Sequence, residues 1–433
     1  MADPDRFCRE NLAEYGPIFK TSVFGGCTVF VGTAAANQMA FNGEGNYTEI
    51  SLPATTMNMF GEYSLFQRPD LHRQRKSALR PGLTGQMLGG YLPQIQHRIA
   101  QGLNQWPRSG RMALFGEIEA ICFDVLVPLL LGVDLEHQDW ANLPIASKAE
   151  LKRLYQAFFN GFYGLLPWRN RWTKYGRGIE ARERLIAFMG SLIQQRRSSS
   201  LDPARDFLAM MLVNQQDNPD GIFSDPLIEN QCLLQLWASH YELTGLISSV
   251  IYQLGHYPEV VDRLRQEQLS QAVTDEMGTK SRLTLEHLQS LNYLEATIKE
   301  TLRLFPPTST ANRRLTKSVV LDGVLYEKGW VLIAEPRITH HLDQYFQAPE
   351  TFDPDRFLAD RQEGKPYEYI PFGGGAHACL GAQMAMVIAK VFLSQILQSF
   401  DWRLTGPAEF DLFPLRLLKS TYEIDLMGHE ATQ

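Results

Sequence analysis

The segment Phe372-Gly373-Gly374-Gly375-Ala376-His377-Ala378-Cys379-Leu380-Gly381 puts one thiol behind a run of glycines and ahead of a helical stretch, Leu380 to Phe400. At the start of a helix a cysteine sits in a positive field that favours the thiolate, the form that binds metals. Consecutive glycines permit a backbone path closed to other residues and let a flat, bulky group approach the main chain. Phe372 can pack against the sulfur, and His377 can reach an anionic group. The plain alternative is a lone cysteine acting as a small buried hydrophobe. Glu300 and Arg303, three apart on a helical pattern, can pair on one face, although such pairs are usually solvated and weak.

The elements that must carry these groups read as mainly helical. From about Pro69 to Leu269 the pattern is predominantly α, with breaks at Pro81, at Pro107-Arg108-Ser109-Gly110 and at Pro167. Ser224-Asp225-Pro226 has the form of a helix start, a capping residue followed by a first-turn proline. The apolar run 226–256 then predicts a long helix crossing the interior. A further helix, Leu291 to Leu304, ends at Phe305-Pro306-Pro307. Residues 17–31 alternate around Gly25-Gly26 and read as a β-hairpin. Strands are expected at Ser318 to Leu321 and Trp330 to Ala334, with an Asp322-Gly323 turn, and again between Phe410 and Leu426. Arg196 to Arg205 and Ala272 to Arg282 read as exposed loops.

Composition narrows the class. A net charge of −7 argues against a general nucleic-acid binder. The five cysteines lie far apart with no CxxC pair, which argues against a disulfide framework or zinc site and suits a reducing compartment. No segment approaches the roughly 18 to 20 apolar residues of a membrane span, and the polar start lacks a signal-peptide core. The expectation is a soluble, cytoplasmic, monomeric protein with one mostly α domain over 1–433 and a small β portion.

The loop fits every fixed position of F-G-x-G-x-H-x-C-x-G and so resembles the haem-binding loop of cytochrome P-450 enzymes. Two further phrases carry the same resemblance. Lys299-Glu300-Thr301-Leu302-Arg303-Leu304-Phe305-Pro306-Pro307 is similar to the family's E-x-x-R helix, and Phe352-Asp353-Pro354-Asp355-Arg356-Phe357 to its F-x-P-x-R-F segment. The resemblance covers essentially the whole chain. It implies haem b held between the long central helix and the cysteine-loop helix, with Cys379 as axial thiolate and Phe372 and Gly381 beside the cofactor. It makes Glu300, Arg303 and Arg356 a buried structural network. Haem propionates need cationic or donor partners, and the resemblance places His72, Lys76, Arg313 and His377 there. Arg73, Arg75 and Arg80 are either a solvated basic face or a docking patch for an acidic electron-transfer partner.

The long helix departs from the family's A/G-G-x-D/E-T pattern, whose acid and threonine help deliver protons to iron-bound oxygen. Counting back from His256-Tyr257-Pro258-Glu259 aligns Ala238-Ser239-His240-Tyr241-Glu242 with it, so Tyr241 takes the acid position and Glu242 the threonine position. A one-residue insertion would move Glu242 to the acid position, followed by Leu243. The acid-alcohol pair is absent either way. A desolvated carboxylate has a raised pKa and could serve hydrogen peroxide as base and then acid. Otherwise Glu242 pairs with a neighbouring helix, or substrate or water relays the protons.

Substrate contacts are expected from Ser51 to Phe66, from Trp237, Ala238 and their neighbours, from Thr308 to Ala311 (Thr310 among them), and from the aromatic run Phe158 to Trp168. That run, with Tyr175 to Arg182, looks like the branch of retinoid and sterol hydroxylases and cyanobacterial relatives. The expected reaction is hydroxylation of an apolar lipid, retinoid or terpenoid. Its electrons would come from a ferredoxin-type donor, or hydrogen peroxide would replace both donor and oxygen. A hydroperoxide isomerase or dehydratase and a non-catalytic haem carrier or sensor are the rival readings.

Overall fold

The computed structural model describes residues 3–22, 26–66, 69–164, 166–199, 201–271, 283–308, 312–412 and 415–429. Thr310, the tip of the first hairpin and the polar stretch Ala272 to Arg282 therefore lie outside the described residues. The chain is mainly helical with small sheets. It divides into two compact units. One comprises Met1–Ser51, Ile99–Glu119 and Tyr241–Gln433, and the other Leu52–Arg98 and Ala120–His240.

Among the described residues the first unit holds all the β structure. Its larger sheet has five strands in the order Ile18–Thr21, Thr28–Val31, Val331–Ala334, Asn312–Leu315 and Thr48–Ile50. Only the second and third of these run parallel; the other neighbours are antiparallel. Val29, Val31, Ala36, Phe41, Leu332 and Ala334 are buried together in one core cluster. The expected turn at Asp322-Gly323 is present, with both residues at positive φ (50° and 76°), the conformation a tight hairpin between Val319–Leu321 and Val324–Tyr326 requires.

A second sheet places Glu423–Gly428 between Ser109–Ala113 and Phe400–Leu404. The strand at Ser109–Ala113 replaces a simple helix break. Its residues are mostly exposed, so it has no hydrophobic alternation to read, and its pairing comes from a strand some 300 positions away.

Helix Asn292–Leu304 buries Leu294, Ile298, Thr301 and Leu302. Its first free amides are capped from another helix, because the Glu267 carboxylate accepts from the N–H groups of Tyr293 (2.6 Å) and Leu294 (2.9 Å). The first helix, Pro4–Tyr15, is tied down by Asp5, which pairs with Arg337 at 2.9 Å and also with Arg416.

The second unit is helical, built on Gln86–Asn104 in part, Leu114–Leu131 in large part, Lys148–Gly161, Lys174–Arg197 and Phe207–Asp217. Arg196 and Arg197 extend a helix where an exposed loop was expected. Arg196 is drawn inward by Asp206, at 2.9 Å and with a fully buried side chain; Arg197 reaches Asp225. The long helix runs Asp225–Leu254 as 30 residues, close to the expected span.

Candidate active site

The cysteine loop is shaped by what stands behind it. The Cys379 amide donates to the Phe372 carbonyl at 2.8 Å, closing the hairpin and presenting an exposed thiol. Gly373 and Gly375 adopt positive φ, 69° and 62°. A Cβ on Gly374 would stand 2.8 Å from the Phe41 ring, and one on Gly375 would stand 2.5 Å from the Phe41 carbonyl oxygen. These two glycines thus admit the end of helix Ala34–Asn42 rather than a ligand. At Gly381 a Cβ would meet nothing within 4 Å, so open space adjoins the loop there. The following helix begins at Ala382, with Gly381 as its N-cap. Cys379 therefore precedes the cap by two residues instead of standing in the first turn.

Behind the loop is a fully satisfied buried network. Glu300 accepts from Arg303 Nε and Nη2 (2.7 and 2.8 Å), Arg356 Nε (3.0 Å) and the Asp353 amide (2.9 Å). Arg303 also donates to the carbonyls of His340, Pro349 and Thr351, and Arg356 to those of Gln347 and Thr351. The Glu300, Arg303 and Arg356 side chains are wholly buried.

His340, which sequence reasoning missed, joins this network to the loop. Its Nε2 accepts from the Ile370 amide at 2.9 Å, so Nδ1 carries the proton and donates to the Arg303 carbonyl at 3.0 Å. Burial pulls its pKa down to about 3. A histidine in Thr339-His340-His341 has no periodic or motif signal; only its two backbone partners give it a role.

The proposed propionate partners fall in both units. In the first, Arg313 is 3% exposed and donates to the Asn312 carbonyl at 3.2 Å, while its Nε and Nη2 are buried with no hydrogen-bond partner among the described residues. Burial pulls its pKa down and the Glu44 carboxylate opposes that. His377 Nε2 lies 2.5 Å from Glu44 Oε2. In the second unit, His72 is buried and its Nδ1 donates to the Leu65 carbonyl at 2.6 Å; Lys76 is half-buried on the same helix, Pro69–Leu79. Arg75 is not part of a solvated face, because it folds back onto the carbonyls of Glu62 and Ser64 (3.0 and 2.9 Å).

On the long helix, Ala238 is exposed although Leu236 and His240 flanking it are buried. Trp237 stacks on Phe162 (4.2 Å between centroids) and meets Phe60 edge-on. Phe158 and Phe159 are buried, whereas Trp168 at the end of that run is 60% exposed. Thr308 is half-buried. Burial, aided by the Glu119 charge, pushes the Tyr241 phenol up, so it stays a donor. Glu242 as a whole is half-buried, yet its Oε2 is sealed with no hydrogen-bond partner among the described residues. Burial pushes its pKa up to about 8, and its own backbone amide offsets only part of that.

The comparisons with known proteins cover nearly the whole chain that carries this loop and network. The cytochrome P450 family model matches residues 2–425. The chain belongs to the cytochrome P450 family. It is 30% identical over 410 residues to putative cytochrome P450 120 of Synechocystis, covering 94% of this chain and 88% of that one. It is 26% identical to taxane 10-beta-hydroxylase of Taxus cuspidata (92% and 79% covered) and 29% identical to cytochrome P450 26A1 of Xenopus laevis (92% and 81%).

Among solved structures, retinoic acid-bound cyanobacterial CYP120A1 superposes with a TM-score of 0.86 at 28% identity, over 99% of this chain and 95% of that one. As a cytochrome P450 the chain is a haem enzyme of the monooxygenase class, with a cysteine thiolate as axial ligand. Among the described residues no helix is long and apolar enough to cross a membrane.

Proposed function

We propose that residues 1–433 form one catalytic domain, a monomeric cytoplasmic hydroxylase of an apolar lipid, retinoid or terpenoid, with Cys379 holding the haem iron. The observation that supports the haem assignment is Arg313, whose buried Nε and Nη2 have no hydrogen-bond partner among the described residues and need an anion such as a propionate. The other proposed donors are His377 in the first unit and His72 and Lys76 in the second; Phe372 and Gly381 are the proposed neighbours of the cofactor at the loop, where the Phe372 carbonyl accepts from the Cys379 amide and Gly381 leaves room for a flat group. The substrate class is supported by likeness to a taxane hydroxylase and to a retinoic acid-bound relative. Trp237, Ala238, Thr308 and Thr310 are the proposed substrate contacts.

Bound haem supplies the activation of oxygen and its insertion into a C–H bond. Tyr241 offers a hydroxyl that holds its proton. Glu242 is neutral below about pH 8 and ionised above it, so near neutrality it can hold or release a proton. That favours a second reading, in which hydrogen peroxide replaces the ferredoxin-type donor. In its ionised form, which prevails above about pH 8, Glu242 would take a proton from the peroxide and then give it to the departing hydroxyl, which leaves as water.

Product formation from a lipid panel, driven separately by ferredoxin with reductase and by peroxide, tests both. Product with peroxide that disappears in Glu242→Thr supports the second reading; product only with the reductase rejects it. No product by either route rejects the hydroxylase assignment, and a reduced carbon-monoxide spectrum without the thiolate signature rejects Cys379.

A further inference from the structure

Elements of the first unit bring an acid to the two donors Arg313 and His377. Helix Ala34–Asn42 packs so tightly against the cysteine loop that a Cβ on Gly375 would lie 2.6 Å from Asn42 Oδ1. Past its C-cap, Gly43, the amides of Tyr47 and Thr48 both donate back to the Gly43 carbonyl at 2.9 Å and close a tight turn. The turn leads into Thr48–Ile50, which pairs with the Arg313 strand so that Ile50 lies opposite Arg313. Glu44 sits in this turn. Its Oε2 is 2.5 Å from His377 Nε2, each side chain is only 8% exposed, and its charge is felt at Arg313.

A site that needs an external anion thus contains one of its own. Resting on the haem-thiolate reading above, we infer that Glu44 is a built-in competitor of the haem carboxylate for Arg313 and His377. It already stands against His377 without haem, in a close approach that is not a hydrogen bond. Were haem bound with a propionate on Arg313 and His377, the Glu44 carboxylate would repel it strongly, because little water screens charges buried there. The consequences are faster haem loss and a lower reduction potential, since a nearby anion disfavours the electron that reduction adds. Glu44 is a positioning residue, not a catalytic one.

The haem-loaded full chain and its Glu44→Gln variant are compared by haem transfer to excess apomyoglobin and by spectroelectrochemical titration. Glu44→Gln is expected to release haem on the order of tenfold more slowly and to show a higher midpoint potential. Glu44→Ala provides a second neutral variant with the same expected signs, and Glu44→Asp, which keeps the charge, stays near the wild-type potential. A purely structural Glu44 gives the opposite result, because a loosened loop sheds haem faster. Equal or faster release from the neutral variants, or an unchanged or lower potential, overturns the inference. Failure of the underlying reading is seen separately, in a wild-type chain whose reduced carbon-monoxide spectrum lacks the thiolate signature.

Discussion

Two glutamates of the first unit, each with a buried carboxylate oxygen, meet opposite fates. Glu300 accepts four hydrogen bonds, three of them from arginines, and leaves neither guanidinium idle. Glu242, on the long helix, has an oxygen with no partner among the described residues and a pKa pushed up to about 8. The first has had its burial compensated by charge and hydrogen bonding; the second is kept affordable only by holding its proton. A saturated carboxylate can brace a site but has nothing left to exchange, whereas an unsaturated one is available for proton transfer.

The sharpest way to break this contrast is at the saturated end. Arg356→Leu should strand Glu300 with half its positive partners gone, costing about 3–5 kcal/mol and most of the haem content, read by urea unfolding and Soret absorbance. Next comes Glu242→Gln. The Glu242 pKa is raised on folding, so its favourable contribution is present below the ordinary carboxylate range and is lost as pH rises through about 8. The variant should therefore gain about 2–4 kcal/mol over wild type at pH 9 and match it near pH 4, by urea unfolding at both values.

His340→Leu leaves the Ile370 amide and the Arg303 carbonyl unpaired, a loss of about 1–3 kcal/mol at neutral pH. The folded His340 pKa is depressed, so wild type loses stability as pH falls from 6.5 toward 3; a pH series of thermal melts should find that slope reduced in the variant. Smallest is Arg263→Ala, which removes a largely exposed pair with Asp355, neighbour of Arg356. It should cost under ~1 kcal/mol, showing in urea titrations that closeness to the network is not membership of it.

The saturated end was the legible one. Glu300, Arg303, Arg356 and the cysteine loop are fixed by short local phrases, and the long helix by an unbroken apolar run with a capping signal at Ser224. What escaped depends on partners distant in sequence. Ser109–Ala113 is polar and becomes a strand only by pairing with Glu423–Gly428. Arg75 reads as one more surface cation until its carbonyl partners are known. Glu44 carries no motif, and neither its closeness to His377 nor the role of His340 follows from spacing. The glycines read as a demand for close approach, but at Gly374 and Gly375 the close neighbour is Phe41 rather than a ligand, because sequence does not say which side of a loop is crowded.

That misassignment has a practical meaning. Half of the glycine signature in this chain is written by Phe41 and Asn42, which press on the loop at Gly374 and Gly375, whereas Gly381 adjoins open space. The motif is a mould with two halves, and residues 372–381 are only one of them. Transplanting those ten residues into another scaffold would carry the thiol and the permissive backbone but not the wedge that sets their path. A graft intended to bind haem would have to bring the end of helix Ala34–Asn42 with it.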